Sequence, residues 1–188
     1  MLYPVFLKLE GRVVVVVGGG AVAASKLAGL VAAGAKITVV APQIAPGIRE
    51  HAARIVEREF VAGDLDGAHW VVAAATPEVN RAVTAVAEAR GLFVNAVDDK
   101  DAATAYLGGV IRRGEIEIAI STGGTAPALA GLLREALEAL LPEDLERWTA
   151  VANATRAEWK TSQIPMAERR PLLLRALDEL YASRGAPV

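Results

Sequence analysis

Val13-Val14-Val15-Val16-Val17-Gly18-Gly19-Gly20-Ala21-Val22-Ala23 decides the reading of this chain. An unbroken β-branched run with no polar alternation predicts a strand covered on both faces, as in a parallel sheet. Three glycines end it. Ala21 to Ala33 are then mostly good helix formers, and Gly34 stands where a C-cap is expected. Lys36 to Ala41 is a second apolar strand, stopped by Pro42. Strand, glycine turn, helix and strand make one βαβ unit with a right-handed crossover.

The alternation continues outward from that unit. Ile44 to Ala53 reads as a short helix, Arg54 to Phe60 as a third strand and His69 to Ala75 as a buried fourth. Pro77 opens a helix to about Arg90, with Gly91 as its cap, and Leu92 to Val97 is a fifth strand. This is an α/β fold, a Rossmann-like doubly wound parallel sheet. The pattern then changes. Ala105 to Ile111 and Glu115 to Ser121 flank Arg112-Arg113-Gly114 and read as an antiparallel hairpin. Ser121 to Thr125 is a second glycine turn. Pro127 opens a helix to Leu141, with Leu129, Leu132, Leu133, Ala136, Leu137 and Leu140 at helical spacing. After Pro142, Glu143–Lys160 and Met166–Tyr181 read as helical, and Arg184–Val188 as a loose tail.

The glycine turn carries chemistry. Gly18-x-Gly20-x-x-Ala23 lies between a predicted strand and a predicted helix, the context a dinucleotide fingerprint needs. Gly18 permits the tight turn, Gly20 lets a pyrophosphate approach the backbone, and Ala23 lets the helix sit close to the sheet. The phosphates would meet the free N–H groups of that helix. The acidic residue that usually reads the adenosine ribose is missing. Val40-Ala41-Pro42-Gln43 occupies its place, so Gln43 or backbone groups do the work, or the cofactor differs. Neither Pro42 nor Gln43 is basic, which favours NAD over NADP. Residues 1–104 are therefore assigned to an NAD-binding domain, 105–141 to a hairpin-plus-helix segment and 142–188 to a helical C-terminal region.

Composition removes several classes of function. The 188 residues carry 22 acidic and 20 basic side chains, without the basic surplus typical of nucleic-acid binding. The absence of cysteine excludes disulfides, iron–sulfur clusters and thiolate zinc sites. No apolar run is long enough to span a membrane and Met1 to Glu10 lacks a signal-peptide pattern, so a cytoplasmic protein is expected. His51 and His69 have no partners that suggest a metal site. Asp98, Asp99 and Asp101 follow the fifth strand, at the sheet edge where open α/β folds place ligands. They are either a solvated loop or a proton acceptor raised by neighbouring charges. As a magnesium site they lack an octahedral pattern. No metal site is assigned. Trp148 and Trp159, three turns apart, suggest core packing.

These features together resemble the precorrin-2 dehydrogenase family, the N-terminal module of siroheme synthases, over nearly the whole chain. The resemblance rests on four stretches. They are Tyr3-Pro4-Val5-Phe6-Leu7, Val17 to Ala23 with Lys26, Asn95-Ala96-Val97-Asp98-Asp99, and Ser121-Thr122-Gly123-Gly124-Thr125-Ala126-Pro127. It implies NAD-dependent oxidation of precorrin-2, a tetrapyrrole, to sirohydrochlorin, in some members followed by iron insertion. It implies cofactor binding by Ala21, Val22, Pro42 and Gln43, with Thr76 added after the fourth strand. It implies a catalytic role for Asp98. Asn95 either bonds the substrate or caps its strand, and Thr122, Gly123 and Gly124 are set beside it as substrate-binding. A homodimer formed through the segment after the hairpin is implied as well. Methylation of the precursor is left to another protein. The substrate's carboxylates call for cations, and Arg112, Arg113, Arg134, Arg156 and Lys160 are available.

Two departures stand out: Leu107-Gly108-Gly109 replaces an aromatic or apolar residue followed by proline and a small residue, and Thr122 replaces a serine that some members phosphorylate. A non-catalytic NAD(H)-sensing module is the alternative. It would need the first glycine turn but neither the acidic loop nor the second. A short-chain reductase is disfavoured, because Tyr3, Tyr106 and Tyr181 are followed four residues on by Leu7, Val110 and Gly185 rather than lysine.

Overall fold

Val14 and Val16 face one side of a sheet and Val15 and Val17 the other, and all four are essentially without solvent exposure. That is why the valine run shows no polar alternation. The computed structural model describes residues 2–182. The chain divides into two compact units, Met1–Leu107 with Gly123–Thr125, and Gly108–Thr122 with Ala126–Val188.

In the first unit five parallel strands form one sheet. They are β1 (Val13–Val17), β2 (Lys36–Val40), β3 (Arg54–Val56), β4 (Trp70–Ala73) and β5 (Val94–Ala96), in the spatial order β3-β2-β1-β4-β5. Strand order therefore reverses between β1 and β4, which opens a crevice at their carboxyl ends. Helices α1 (Ala21–Ala32) and α2 (Pro46–Arg49) cover one face, where Leu27, Leu30 and Ile48 pack on Val14 and Val16. Helix α3 (Pro77–Ala89) covers the other, where Val83 and Ala87 pack with Leu65 on Val15 and Val17.

The expected elements of this unit are all present, with two adjustments. The predicted helix 44–53 shrinks to the single turn of α2, because Pro46 forces Ala45 into an extended conformation (ψ 145°) and starts the helix late. Strand β3 ends at Val56, and a 3₁₀ turn at Ala62–Leu65 follows that the sequence did not announce. Asp64 organises it, accepting from the Val61 N–H at 2.9 Å and pairing with Arg58 at 2.6 Å. The Arg58 hydrogen bond holds the Asp64 carboxyl below its usual pKa.

The second unit starts with β6 (Gly109–Arg113) and β7 (Ile116–Ile120), an antiparallel hairpin. Its register pairs Arg113 with Ile116, leaving a two-residue loop with Gly114 at φ +57°. The strands thus sit later than expected. Arg112 and Arg113 lie within β6, not in the turn, and Arg112 pairs across the ladder with Glu117 at 2.8 Å. Gly108 has no room for a side chain, since a Cβ there would lie 1.9 Å from the Ile120 carbonyl oxygen. The hairpin is built around glycine at the first of the two departures named above.

Helix α4 (Pro127–Leu140) packs on β6 and β7 through Ala130 and leaves Leu129, Leu132, Leu133, Leu137 and Leu140 exposed. Helices α5 (Glu146–Thr161) and α6 (Met166–Ala182) pack on each other without a fully buried residue. Trp148 and Trp159 are half-buried, so the expectation of core packing is corrected. Trp148 instead clips the two helices together, its Nε1 donating to the Tyr181 hydroxyl at 2.8 Å. The predicted tail 184–188 falls outside the described residues. Among the described residues no helix is long and apolar enough to cross a membrane.

Candidate active site

Each of the three glycines after β1 meets a different demand. Gly18 has φ +132°, and a Cβ on it would lie 2.2 Å from the Ala74 carbonyl oxygen, just beyond β4. Gly19 is packed more tightly still, its Cβ position 1.9 Å from the Gln43 carbonyl oxygen and 2.9 Å from Ala41 Cβ. At Gly20 a Cβ would meet nothing within 4 Å. The first two glycines are thus fixed by the protein itself, and the third borders open space. The fingerprint reading gave Gly19 no role; its signal was only that the run holds three glycines where two suffice.

Gly20 is the N-cap of α1, which has no side-chain cap and no acidic residue in its first turn. The first intrahelical bond runs from Ala24 to Gly20, so the N–H groups of Ala21, Val22 and Ala23 are unmatched within the helix. Ala23 is fully buried against the sheet and Val22 is half-exposed. Pro42 and Gln43 are exposed and lie directly against the turn, where the Ala45 N–H donates to the Gly19 carbonyl at 2.8 Å. Among the described residues the Gln43 amide has no partner. A glycine cradle, uncapped helix N–H groups and a free amide beside them fit a dinucleotide. Gly20, Ala21 and Val22 would hold its pyrophosphate, and Gln43 would be the side chain available to its adenosine ribose.

A cleft of about 480 Å³ opens where β1, β4 and β5 end. Val22 lines one side, Ala75 and Pro77 another, and Val97 to Asp101 a third. Asn80 forms part of its wall and is only 2% exposed. Its Oδ1 accepts from the Ala75 N–H at 2.9 Å and its Nδ2 donates to the Val97 carbonyl at 3.3 Å. One side chain therefore ties the end of β4 to the residue before Asp98. Sequence reasoning passed over it, although Asn80 occupies an inward position of α3 with Val83, Thr84 and Ala87. A polar residue on a buried stripe was the available signal. We expect Asn80→Ala to lower unfolding free energy by about 2 kcal/mol, since Ala75 and Val97 lose their partner in a buried setting. Urea unfolding measures this.

Asp98 adopts φ +58°, a conformation that non-glycine residues rarely take and that concentrates at functional sites. Its side chain is exposed toward the cleft and has no hydrogen-bond or ion-pair partner among the described residues. Asp99 is engaged. It pairs with Arg81 Nε at 3.5 Å and accepts from the Ala102 N–H at 3.1 Å. Thr76 stands at the N-cap position of α3 without a side-chain capping bond; the Glu78 backbone N–H first, and the Thr76 hydroxyl after it, hold the Glu78 carboxyl below its ordinary pKa.

The second glycine turn divides between the two units. Gly123 and Gly124, at φ +65° and +74°, belong to the first. A Cβ on Gly124 would lie 2.8 Å from the Tyr106 ring, and the Tyr106 hydroxyl donates to the Lys100 carbonyl at 3.0 Å. The turn and the acidic loop thus rest on one aromatic ring. Thr122 belongs to the second unit, where its hydroxyl donates to the Ala126 carbonyl at 3.0 Å. Asn95 is buried, and its Nδ2 donates to the Ala105 carbonyl at 3.0 Å.

The cations foreseen for substrate carboxylates all belong to the second unit. Arg112 pairs with Glu117, Arg113 and Arg134 share Glu138, and Arg156 and Lys160 are exposed on α5. Arg81 and Lys100, which the sequence reading did not select, are the cations that line the cleft. No group of three metal-ligating side chains forms among the described residues.

Residues 5–109 match the protein family described as "Putative NAD(P)-binding", and residues 113–140 match the one described as "Sirohaem biosynthesis protein central". Siroheme synthase 2 of Aeromonas salmonicida is 43% identical over 177 residues, 92% of this chain and 37% of that protein. The siroheme synthase of Citrobacter koseri is 41% identical over 173 residues, 89% of this chain and 38% of its own length. The chain thus spans less than two-fifths of these relatives. The solved structure of SirC, a precorrin-2 dehydrogenase, superimposes with a TM-score of 0.73 at 28% identity, covering 96% of this chain and 92% of that one. By the first of these matches, which takes in more than half its length, the chain belongs to the family described as "Putative NAD(P)-binding", and the others set it beside siroheme synthases and a precorrin-2 dehydrogenase.

Proposed function

We propose that this chain oxidises precorrin-2 to sirohydrochlorin with NAD⁺ as the acceptor, a step of siroheme biosynthesis. The observation that carries this reading is a single cleft lined both by Val22, at the start of α1, and by the unpartnered Asp98. Cofactor turn and carboxylate open onto the same space, as an oxidation that removes a hydride and a proton requires. The names of the relatives and of the SirC structure support the substrate. The lack of a basic residue at Pro42-Gln43 supports NAD over NADP.

Bound NAD⁺ supplies the hydride acceptor. The chain's own residues do the rest. Gly20, Ala21 and Val22 present backbone N–H groups to the pyrophosphate. Asn80 fixes the separation between Ala75 and Val97, and so the place from which Asp98 reaches the cleft. The Asp98 carboxylate takes the proton released from the ring carbon as the second hydrogen leaves. Gly123 and Gly124 hold the far side of the acidic loop through Tyr106.

We further propose that the chain acts in the cytoplasm as a homodimer, with the exposed leucines of α4 covered by a second copy. Five leucines on one helix form an apolar face of the kind dimers bury. Anaerobic incubation with precorrin-2 and NAD⁺, followed by ferrous iron, tests the activity. NADH absorbance and the sirohydrochlorin spectrum should rise together, and a further change on adding iron would report ferrochelation. NAD binding with no change in the ring spectrum would replace this reading with the sensing module.

A further inference from the structure

The cleft that holds Asp98 is lined by three carboxylates, Asp98, Asp99 and Asp101, yet the proposed substrate is itself rich in carboxylates. Something must offset that repulsion. Arg81 is on the first turns of α3, 68% exposed at the side chain, and lines the cleft. Its only ion pair among the described residues is made through Nε, to Asp99 Oδ2 at 3.5 Å, a long contact. The two terminal nitrogens of the guanidinium make no hydrogen bond or ion pair among the described residues, and the only other carboxylate that feels its charge is Glu78, one turn back on α3. A planar fork with both tips free is the donor geometry that grips a carboxylate bidentately. Lys100, the other cation in the lining, has its backbone carbonyl tied to Tyr106, but it can offer only a point charge.

We propose that Arg81 binds a peripheral carboxylate of the tetrapyrrole, with Asp99 holding its guanidinium at the cleft in the absence of substrate. The proposal rests on the precorrin-2 reading above and names the residue that recognises the substrate. Asp99 can serve as a tether because the contact is long and its Arg81 end is exposed, while Asp99 itself, only 18% exposed, is anchored through its other oxygen on the Ala102 N–H. On binding, the free fork meets the substrate and the Nε contact need not break. An oxyanion at this fork could also be a phosphate of the dinucleotide, so the test separates the two sources.

The experiment uses the full chain and two ligands, NAD⁺ and sirohydrochlorin, each titrated by quenching of tryptophan fluorescence, together with steady-state oxidation of precorrin-2. Arg81→Gln, a good helix former at an exposed position, should weaken sirohydrochlorin and raise KM for precorrin-2 about tenfold, with NAD⁺ affinity and kcat nearly unchanged. Arg81→Lys should recover only part of the loss. Asp99→Asn keeps the acceptor for Ala102, removes a repelling charge and frees Arg81, and should tighten sirohydrochlorin a few fold. Sirohydrochlorin affinity unchanged in Arg81→Gln would overturn the assignment. So would a loss confined to NAD⁺, which would place a dinucleotide phosphate on the fork. Weaker tetrapyrrole binding by Asp99→Asn would also overturn the tether, whatever the fate of the Arg81 variants. If the wild-type chain itself neither bound sirohydrochlorin nor oxidised precorrin-2, the functional reading would fail first, and Arg81 with it.

Discussion

Gly19→Ala is expected to unfold the cofactor turn, lowering stability by about 3 kcal/mol and weakening NAD⁺ at least about a hundredfold. The added methyl would sit 1.9 Å from the Gln43 carbonyl oxygen and 2.9 Å from the Ala41 methyl. Neither neighbour is the end of a flexible side chain. Backbone must move, either the glycine turn or the Pro42-Gln43 segment that rests on it. Both carry proposed cofactor contacts. Gly20→Ala is the matched control. Its methyl meets no protein atom within 4 Å, so the fold should melt close to the wild-type temperature. The same methyl would project where the pyrophosphate approaches, and NAD⁺ affinity should still fall. Thermal melts and NAD⁺ titrations on both variants check this. Equal melting of Gly19→Ala and wild type would mean that the turn is not packed on Gln43.

The second large effect concerns Asp98. Asp98→Asn should lower kcat for precorrin-2 oxidation about a thousandfold while leaving NAD⁺ affinity and stability unchanged. The choice of asparagine follows from the backbone. At φ +58° an asparagine is tolerated, whereas alanine is not, so Asp98→Ala carries about 1 kcal/mol of strain in addition to the lost carboxylate. Comparing the two separates chemistry from conformation. Both should lose turnover, and only Asp98→Ala should lose stability. Single-turnover oxidation measured anaerobically, beside urea unfolding, gives the two quantities. Wild-type turnover in Asp98→Asn would remove the carboxylate from the reaction.

Much of the fold was legible because its signals are local. Five β-branched valines without alternation favour a strand covered on both faces, and β1 is covered by Leu27 and Ile48 on one face and by Val83 and Ala87 on the other. Glycines at strand ends and prolines at helix starts marked α1, α3 and α4. What was misplaced depended on pairing across space. The hairpin register is set by the Gly114 turn and by Arg112 facing Glu117, so the expected strand began too early. The 3₁₀ turn at 62–65 needs the Arg58–Asp64 contact, which spacing alone does not reveal.

The same division runs through the site. Gly18, Gly20 and Asp98 could be named from motif and resemblance. Gly19, Asn80 and Arg81 could not, because their roles come from neighbours distant in sequence: the Gln43 carbonyl, the ends of two strands, and a loop eighteen residues on. The cations picked from sequence were chosen for charge alone. Three of them spend it on glutamates of their own unit.

Tyr106 joins parts of the chain whose histories would otherwise be separate. Its ring leaves no space for a side chain at position 124, and its hydroxyl holds the backbone of position 100. A larger residue at position 124 must displace that ring and is strained by its φ of +74° as well, and a smaller residue at 106 releases the loop that carries Asp98. Substitutions at 106 and 124 should be epistatic, and sequence drift among relatives should change them as a pair.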